Sequence, residues 1–367
     1  MSDSSTVGDS DDGAPEFVVV LVPSAATADP SLDYYNDYTG NRDEFARAFA
    51  ELGVDWRWQP VTALNYREVI DAVIREHPTS PPLVFNLCDG DESNDVPGVA
   101  VIRYLDELRL TYTGADAAFY EATTSKITMK SAFDVAGVRT PTWAIIEKDP
   151  TGVARLFERL GTPLIVKPAV GAGSMGITIK SVVDSDDALR HEARLLHEGY
   201  HGWNLASGGV LVEQFIDGPE FTTFIVGSAD DPERSTIYPP VERVFHSSLP
   251  ARQRLLSYDR LWEVYEREEP LADDAFLWEY GPAPEALSER LKTVSWAAYV
   301  AMGGCGYGRV DLRMDARSGT LYVLEVNAQC GLSEDENSTS IGAILRFGNR
   351  SFARLVREII DDAIARS

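Results

Sequence analysis

The chain has 367 residues, 44% of them hydrophobic, and a formal net charge of −25. This length allows two or three packed lobes, and the acidic balance argues against nucleic acid as a partner, because phosphate backbones are bound by basic surfaces. No apolar run approaches the roughly 18 residues of a membrane span, and the Ser-, Asp- and Gly-rich residues 1–15 predict a disordered tail rather than a signal peptide. We therefore expect a cytoplasmic protein that binds neither membranes nor nucleic acid.

Strand and helix patterns alternate over residues 16–120. The apolar run Phe17–Val22 predicts a buried strand, and Asn41 is the predicted N-cap of a helix that ends at Gly53. Further elements are predicted as a helix over 65–76, a strand over 83–87, a helix over 96–108 and a short strand that ends at Tyr112. This alternation predicts an open, parallel α/β domain with helices on both faces.

Residues 121–205 are predicted to form a small central lobe of helices and a hairpin. The apolar strand 162–168 contains Lys167 near its end, and the glycine-rich loop 169–176 and a second predicted strand at 177–180 follow it. Glycines in such a loop let backbone N–H groups approach phosphate oxygens. Because the lysine precedes the glycines, the spacing is not that of a Walker loop. A flexible turn is the alternative, and Lys167 favours phosphate binding.

Residues 206–367 are predicted to form a large lobe. Its first strand, 210–213, leads through a Gly-Pro turn into a second strand at 220. Two interpretations fit this segment. It is either an ordinary β-hairpin or the hinge of a nucleotide pocket.

Three oxygen-bearing side chains fall on a predicted hairpin in the large lobe. The strands 306–314 and 320–327 carry Asp311, Glu325 and Asn327, and residues 325 and 327 share a face because side chains alternate along a strand. Two carboxylates and an amide oxygen are hard ligands of the kind that Mg²⁺ takes, and Arg309 on the same face suits a polyphosphate. The alternative is a solvated polar face, which the cost of burying unpaired carboxylates disfavours.

In this order and spacing, the motifs resemble the ATP-grasp fold, and within it the D-alanine–D-alanine ligase-like carboxylate–amine ligases. The resemblance rests on four segments: Lys167-Pro168 with its loop, 213–221, Gly308-Arg309-Val310-Asp311 and Glu325-Val326-Asn327. It extends to Tyr112-Thr113-Gly114 and residues 124–130. The chain is similar to that family over roughly residues 110–330. The ordered set is far more specific than any single motif.

The resemblance implies a role for each matching residue, with ATP and Mg²⁺ as cofactors. It implies contacts with the ATP phosphates by Lys126, Lys167, Gly173 and Ser174, with adenine by Glu213, Gln214, Phe215 and Ile216, and with ribose by Glu220. It implies Mg²⁺ binding by Asp311, Glu325 and Asn327. Arg309 would stabilise the transferring phosphoryl group, and the N–H near Gly331 would help bind a tetrahedral oxyanion. ATP would activate a carboxylate as an acyl phosphate, which an amine then attacks.

Two segments depart from the pattern of D-alanine ligases. Residues 23–30 lack the glutamate that helps hold the first amino acid, and residues 86–93 lack the family's histidine. We therefore expect a ligase of small amino-acid-like substrates other than two D-alanines. Asp29, Asp33 or Asp91 would be the substitute for the missing glutamate.

Other interpretations stay open at this point. The acidic run 333–340 would suit a cationic substrate or, equally, a solvated helix N-terminus. An ATP-grasp kinase that phosphorylates a small molecule and a nucleotide-binding protein without turnover are the alternative functions. The sequence leaves the oligomeric state open, with a homodimer among the candidates.

Overall fold

The computed structural model describes residues 15–24, 38–90, 92, 95–199, 202–263, 268–270 and 276–367. Within these ranges the strands form three sheets, with three, four and six strands. Most of the predicted tail and of segment 23–30 lies outside the described residues, as do Asp29, Asp33 and Asp91. No helix in the described ranges is long and apolar enough to cross a membrane.

The N-terminal domain is the predicted parallel α/β unit. Its elements are β1 (Phe17–Pro23), α1 (Thr39–Leu52), β2 (Asp55–Val61), α2 (Tyr66–Glu76), β3 (Leu83–Asn86) and α3 (Val99–Glu107). The strand order is β2-β1-β3. Val18 and Val20 pack with Phe45 of α1, whereas Val19 packs with Ile70 of α2 and the helix α3, so helices cover both faces of the sheet.

The first helix begins earlier than the sequence predicts. Helix α1 starts at Thr39, so Asn41 lies inside it and the predicted N-cap is wrong. The Asn41 side chain instead donates to the carbonyl oxygen of Leu332 at 2.8 Å, and this distant contact replaces the local one. The predicted end is correct, because Gly53 adopts the left-handed conformation with φ 67°.

The central lobe contains a four-stranded antiparallel sheet of order β4-β7-β5-β6. Its elements are α4 (Ala117–Thr124), α5 (Lys126–Ala136), β4 (Trp143–Ile146), α6 (Val153–Leu160), β5 (Leu164–Pro168), β6 (Val182–Val183), α7 (Asp186–Glu198) and β7 (Val210–Gln214). Because β7 pairs with both β4 and β5, we propose that the boundary with the large lobe follows Gln214 rather than residue 205.

The strand predicted at 177–180 is wrong. A 3₁₀ helix covers Ile179–Ser181, and the strand β6 begins only at Val182. The Lys180 N–H donates to Thr178 Oγ1, and the Thr178 N–H donates to Ser181 Oγ. These hydroxyls satisfy the backbone locally and thereby override the β propensity of the threonine and isoleucines.

The large lobe is a six-stranded antiparallel sheet of order β11-β10-β8-β12-β13, with β9 paired to β8. Its elements are β8 (Glu220–Ser228), β9 (Asp231–Ile237), β10 (Val241–Phe245), α8 (Tyr258–Trp262), β11 (Trp278–Pro282), α9 (Glu285–Ala301), β12 (Tyr307–Met314), β13 (Leu321–Ala328), α10 (Ser340–Gly348) and α11 (Phe352–Arg366). Strands β7 and β8 lie in different sheets. The segment 210–228 is therefore the crossing between the two lobes and not a hairpin.

One face of the large sheet is apolar, and the other carries buried aromatic residues such as Phe224 as well as a polar cluster. Phe221, Val310 and Leu312 point to one face and pack with helices α4, α5 and α9 in a buried core. Leu312 is fully buried, so its replacement by alanine would cost about 2–5 kcal/mol of unfolding free energy. Because side chains alternate along a strand, Arg309 and Asp311 project from the other face.

Candidate active site

The three predicted oxygen ligands lie on the same face of the large sheet as Arg309. Asp311 lies opposite Glu325 in the β12–β13 ladder, and Arg309 lies opposite Asn327. Asn327 Nδ2 lies 3.1 Å from Asp311 Oδ2 and 3.5 Å from Glu325 Oε1. The predicted hairpin therefore brings one amide and two carboxylates together.

Both carboxylate oxygens of Asp311 accept hydrogen bonds. Thr222 Oγ1 on β8 donates to Oδ1 at 2.8 Å, and Arg309 donates to Oδ2 from Nε at 3.2 Å and from Nη2 at 2.9 Å. Burial would lower the pKa of Arg309, but the negative charge of Asp311 outweighs it and raises that pKa. Arg309 therefore stays a fixed positive charge in the cleft.

Lys126, the first residue of α5, connects this cluster to the glycine-rich loop. Its Nζ lies 3.1 Å from Glu325 Oε2 and donates to the Gly171 carbonyl oxygen at 3.2 Å. Burial would raise the pKa of Glu325, but Lys126, Lys167 and Arg309 lower it to about 2. Glu325 is thus ionised at neutral pH.

Lys167 is held by a buried carboxylate. Glu213 Oε1 accepts from Lys167 Nζ at 2.6 Å, and its other oxygen forms an ion pair with Lys130. Burial favours the neutral form of Glu213, but the two lysines lower its pKa. Lys130 is 1% exposed and also donates to Thr140 Oγ1 at 2.8 Å. The predicted adenine residue Glu213 therefore has its side chain inside this ion-pair network.

The crossing segment 214–216 is fixed by its backbone. The N–H of Gln214 donates to Thr142 O at 2.9 Å, and the N–H of Phe215 donates to Pro163 O at 3.0 Å. The carbonyl oxygen of Ile216 accepts from Arg313 Nη1 at 2.9 Å. The Arg313 guanidinium also lies 4.8 Å from the centre of the Phe215 ring, so this arginine covers the predicted adenine segment.

Glu220, the predicted ribose ligand, sits between two arginines. Arg313 Nε donates to its Oε2 at 3.0 Å, and Arg243 forms an ion pair with Oε1. Burial opposes ionisation of Glu220, but Arg243 and Arg313 lower its pKa. Each oxygen of an ionised carboxylate retains a further acceptor position, so these pairs leave room for a hydroxyl donor.

The glycine-rich loop lies against helix α8. The carbonyl oxygen of Gly173 accepts from Trp262 Nε1 at 2.9 Å, and Ser174 Oγ donates to Leu256 O at 2.9 Å. A Cβ added at Gly173 would lie 2.9 Å from the Trp262 ring, and φ there is +55°, so only glycine fits without strain. The two predicted phosphate-binding residues thus also anchor the loop to the large lobe.

Gly331 lies three residues after the end of β13 and is exposed. The next residues contact helix α1 of the N-terminal domain, because Glu44 accepts from Ser333 Oγ at 2.8 Å and from the Glu334 N–H at 3.1 Å. Arg47 forms an ion pair with Glu334 at 2.6 Å. These contacts hold the loop after Gly331 between the two domains.

Comparison with known proteins identifies the family. Residues 133–361 match the family model described as D-ala D-ala ligase C-terminus, which is well over half of the chain. The chain belongs to the D-alanine–D-alanine ligase family. The D-alanine–D-alanine ligase of Xanthomonas axonopodis pv. citri (strain 306) is 29% identical over 253 residues, 68% of this chain and 69% of the relative. D-alanine–D-alanine ligase B of Pseudomonas syringae pv. tomato is 28% identical over 264 residues, 71% of this chain and 70% of the relative.

Solved structures of the D-alanine–D-alanine ligase family share the fold. The crystal structure of the Bacillus anthracis D-alanine–D-alanine ligase complexed with ATP superposes with a TM-score of 0.66 at 18% identity, over 95% of this chain and 98% of that one. A second structure of the same ligase gives a TM-score of 0.65. The predicted ATP-grasp fold is confirmed. The protein is an ATP-grasp ligase, an enzyme that forms a carbon–nitrogen bond.

In this member of the D-alanine–D-alanine ligase family, the donor set suits Mg²⁺. A site of one or two carboxylates completed by water and phosphate oxygens is usual for this ion. In the described part of the chain, no group of three or more His, Cys, Asp or Glu residues could hold a metal, and Asn327 would add an amide oxygen to the carboxylates of Asp311 and Glu325. A half-turn of that amide exchanges its nitrogen and oxygen, which would present Oδ1 to an ion between the carboxylates.

Several residues of the cleft were missed from the sequence. Lys130 follows Lys126 by one helical turn, and Arg313 follows Arg309 and Asp311 on the same strand face. These spacings place both residues on the same face as predicted site residues, so the sequence could have indicated them. No such spacing indicates Gln329 or Asp89, because their positions depend on contacts between the N-terminal domain and the large lobe.

Proposed function

We propose that the enzyme uses ATP to activate a carboxylate as an acyl phosphate and transfers the acyl group to an amine, joining two small amino-acid-like substrates other than two D-alanines. The observation that carries this proposal is the charge arrangement of the cleft. Lys126 and Arg309 face the carboxylates of Glu325 and Asp311 on one sheet face, and Lys167 extends from the opposing lobe. Phosphoryl transfer to a carboxylate requires such positioning and charge neutralisation.

In this proposal, separate groups of residues in the cleft bind the phosphates, the adenine and the ribose of ATP. Lys126, Lys167 and the backbone at Gly173 and Ser174 bind the phosphates, the segment from Glu213 to Ile216 binds adenine, and Glu220 binds ribose. Lys167 is already near a negative charge, because Glu213 accepts from it at 2.6 Å. Lys130 keeps that glutamate paired when Lys167 turns toward phosphate.

Asp311, Glu325 and Asn327 would hold Mg²⁺. When bound, the ion neutralises charge on the phosphate oxygens during transfer. Glu325 is ionised, since its pKa is about 2, and Asp311 is oriented by Thr222 at 2.8 Å. Glu325 therefore offers its charged form at neutral pH.

The remaining groups act on the acyl centre. Arg309 is fixed by Asp311 at 2.9 Å and stabilises charge on the transferring phosphoryl group and then on the acyl phosphate. The Gly331 N–H donates to the oxyanion that forms when the amine attacks the acyl carbon. A closed glycine-rich loop excludes water, which would otherwise hydrolyse the acyl phosphate.

The relatives are named D-alanine–D-alanine ligases, but two amino-acid segments depart from the pattern that the family resemblance implies. Where that pattern has a histidine turn, this chain has Asn86-Leu87-Cys88-Asp89. Asn86 is fully buried, and its N–H donates to Thr113 Oγ1 at 3.0 Å. It therefore supports the loop rather than contacting a substrate.

The test is a screen of purified enzyme with ATP and Mg²⁺ against pairs of amino acids and amines, D-alanine included. We expect ADP release that depends on an amine, with a product whose mass equals the two substrates minus water. Glu325→Gln is the inactive control. A phosphorylated product formed without an amine would identify a kinase, and nucleotide binding without turnover against every pair would contradict the ligase proposal.

A further inference from the structure

Asp89 lies on the loop that follows β3, at the carboxyl edge of the N-terminal parallel sheet. In such sheets, ligands bind beyond the carboxyl ends of the strands. Asp89 and Gly90 line the same cavity as Lys126, Glu325 and Asn327. The loop thus brings a carboxylate from the N-terminal domain to the cleft of the large lobe.

The loop that carries Asp89 is fixed on several sides. The Cys88 N–H donates to Asn86 Oδ1 at 3.1 Å, and Tyr120 Oη donates to the Gly90 carbonyl oxygen at 2.9 Å. Gln329, just after β13, donates to the Asn86 carbonyl oxygen and accepts from the Ala115 N–H at 2.9 Å. Asp89 is therefore held in place relative to the strand that carries Glu325 and Asn327.

Asp89 differs from the other carboxylates of the cleft in its counter-charge. Glu213, Glu220 and Glu325 each pair with lysine or arginine. Among the described residues, Asp89 forms no ion pair. Its charge raises the pKa of four uncharged groups: Tyr38, Cys88, Tyr307 and Cys330. Burial raises the pKa of Asp89 to about 6. A carboxylate held in a cleft without a cation is costly, which is expected where a ligand supplies the cation.

Cys330, the residue before Gly331, is influenced by charges from both domains. Burial raises the pKa of the Cys330 thiol, Arg309 lowers it, and Asp311 and Asp89 raise it. Arg309 and Asp89 therefore both influence the pKa of this thiol. These two charges have opposite signs, as the two ends of a zwitterionic amino acid require. Its ammonium group would face Asp89.

We propose that Asp89 binds the ammonium group of the amino-acid substrate and takes the place of the glutamate that D-alanine ligases carry after the first strand. The inference rests on the proposed ligase function and assigns one residue to its substrate specificity. It predicts substrates with a primary ammonium group close to the activated carboxylate. Carboxylic acids without that group are excluded.

The experiment observes Asp89 directly in the wild-type enzyme. Aspartate labelled with ¹³C at the side-chain carboxyl is incorporated, and the Asp89 signal is assigned by its loss in Asp89→Asn. Glycine, D-alanine, L-alanine and β-alanine are then added separately, each with Mg²⁺ and a non-hydrolysable analogue of ATP (the ATP analogue). Propionate, which lacks the amino group, is the matched ligand control.

We expect at least one amino acid to lower the pKa of Asp89 by one unit or more, and propionate not to lower it. An unchanged pKa of Asp89 with every amino acid, or an equal shift of that pKa with propionate, would overturn the assignment. Amine-dependent ADP release with an unchanged pKa of Asp89 would support the ligase function and overturn the role of this residue. A lowered pKa of Asp89 without any amine-dependent ADP release would support the binding site and contradict the ligase function.

A second measurement separates substrate binding from a structural role. Asp89→Asn is compared with Asp55→Asn, which removes the same charge from an exposed residue of β2. We expect Asp89→Asn to raise KM for the amino acid at least 10-fold, to leave affinity for the ATP analogue unchanged, and to melt no lower than the wild type. A lower melting temperature with an unchanged KM would assign Asp89 to the fold instead.

Discussion

Lys167 and Glu213 form an ion pair across two neighbouring strands of the central sheet, with Nζ 2.6 Å from Oε1. The opposite oxygen of Glu213 pairs with Lys130, whose ammonium group is buried. One carboxylate thus serves two lysines, of which only Lys167 is partly exposed, at 16% of its side chain. Lys167 can turn toward a phosphate without leaving a buried charge unpaired.

Lys167→Ala is expected to weaken binding of the ATP analogue by about 10- to 100-fold, because a charge-assisted hydrogen bond contributes about 1.5–3 kcal/mol. Calorimetry measures the affinity. Lys148→Ala, at an exposed position of the same lobe, is the charge-matched control. An unchanged affinity in Lys167→Ala would remove this residue from the phosphate site.

Lys130→Met is expected to destabilise the fold by about 3–5 kcal/mol, since it removes one partner of a buried ion pair. Glu213 would retain Lys167, which would then be drawn away from phosphate. The double variant Lys130→Met/Glu213→Gln should recover part of the lost stability. Urea unfolding of the two variants measures the difference, and equal stabilities would show that the two residues are not coupled.

Glu325→Gln is expected to lower kcat at least 100-fold at saturating Mg²⁺ while the melting temperature stays within a few degrees. The variant keeps the shape of Glu325 but removes the charge that pairs with Lys126 at 3.1 Å and that would neutralise a metal ion. Glu279→Gln, on the exposed side of β11, is the matched control. Near-normal turnover in Glu325→Gln would contradict the metal assignment.

The sequence predicted those parts of the site that depend on local geometry. Asp311, Glu325 and Asn327 converge because one hairpin and the alternation of side chains suffice to bring them together. The partners of Glu213 were not predictable in this way, because Lys130 and Lys167 approach it from a helix and a neighbouring strand. The segment 210–228 illustrates the same limit. Its two strands follow one another like a hairpin, but each finds its neighbours in a different sheet.

Asp89→Asn is expected to stabilise the enzyme at pH 7.5 and to have little effect near pH 4. The folded-state pKa is about 6, above the ordinary value of 3.8, so the folded state binds the proton more tightly than the unfolded state. Stability from this group is therefore present below pH 3.8 and is lost as the pH rises through about 6. The gain in the variant at pH 7.5 should be about 1–3 kcal/mol. Thermal unfolding at both pH values measures it, and a loss of stability at pH 7.5 would contradict the uncompensated charge.

Trp262→Phe is expected to loosen the glycine-rich loop, because it removes the indole N–H that donates to Gly173 O at 2.9 Å. Hydrogen exchange of residues 170–175 should become faster in the variant. In the wild type, the same exchange should slow when the ATP analogue and Mg²⁺ are added. Tyr322→Phe, on β13 of the large lobe, is a control that leaves the loop contact intact. Equal exchange in both variants would show that Trp262 does not anchor the loop.

The final prediction concerns the substrate, and we expect no useful rate of D-alanyl-D-alanine formation. The relatives carry the name D-alanine–D-alanine ligase, so D-alanine is the substrate that the comparisons favour. Against it stand the segments 23–30 and 86–93, which lack the glutamate and histidine that the family resemblance implies. A pocket whose ammonium-binding carboxylate has moved to another loop holds the same amino acid in a different position, and a small misplacement can cost about 100-fold in rate. The enzyme is incubated with D-alanine, ATP and Mg²⁺, and dipeptide is quantified by mass spectrometry beside an ordinary D-alanine ligase. Dipeptide formation at a rate comparable to that ligase would show that the altered segments do not change the substrate.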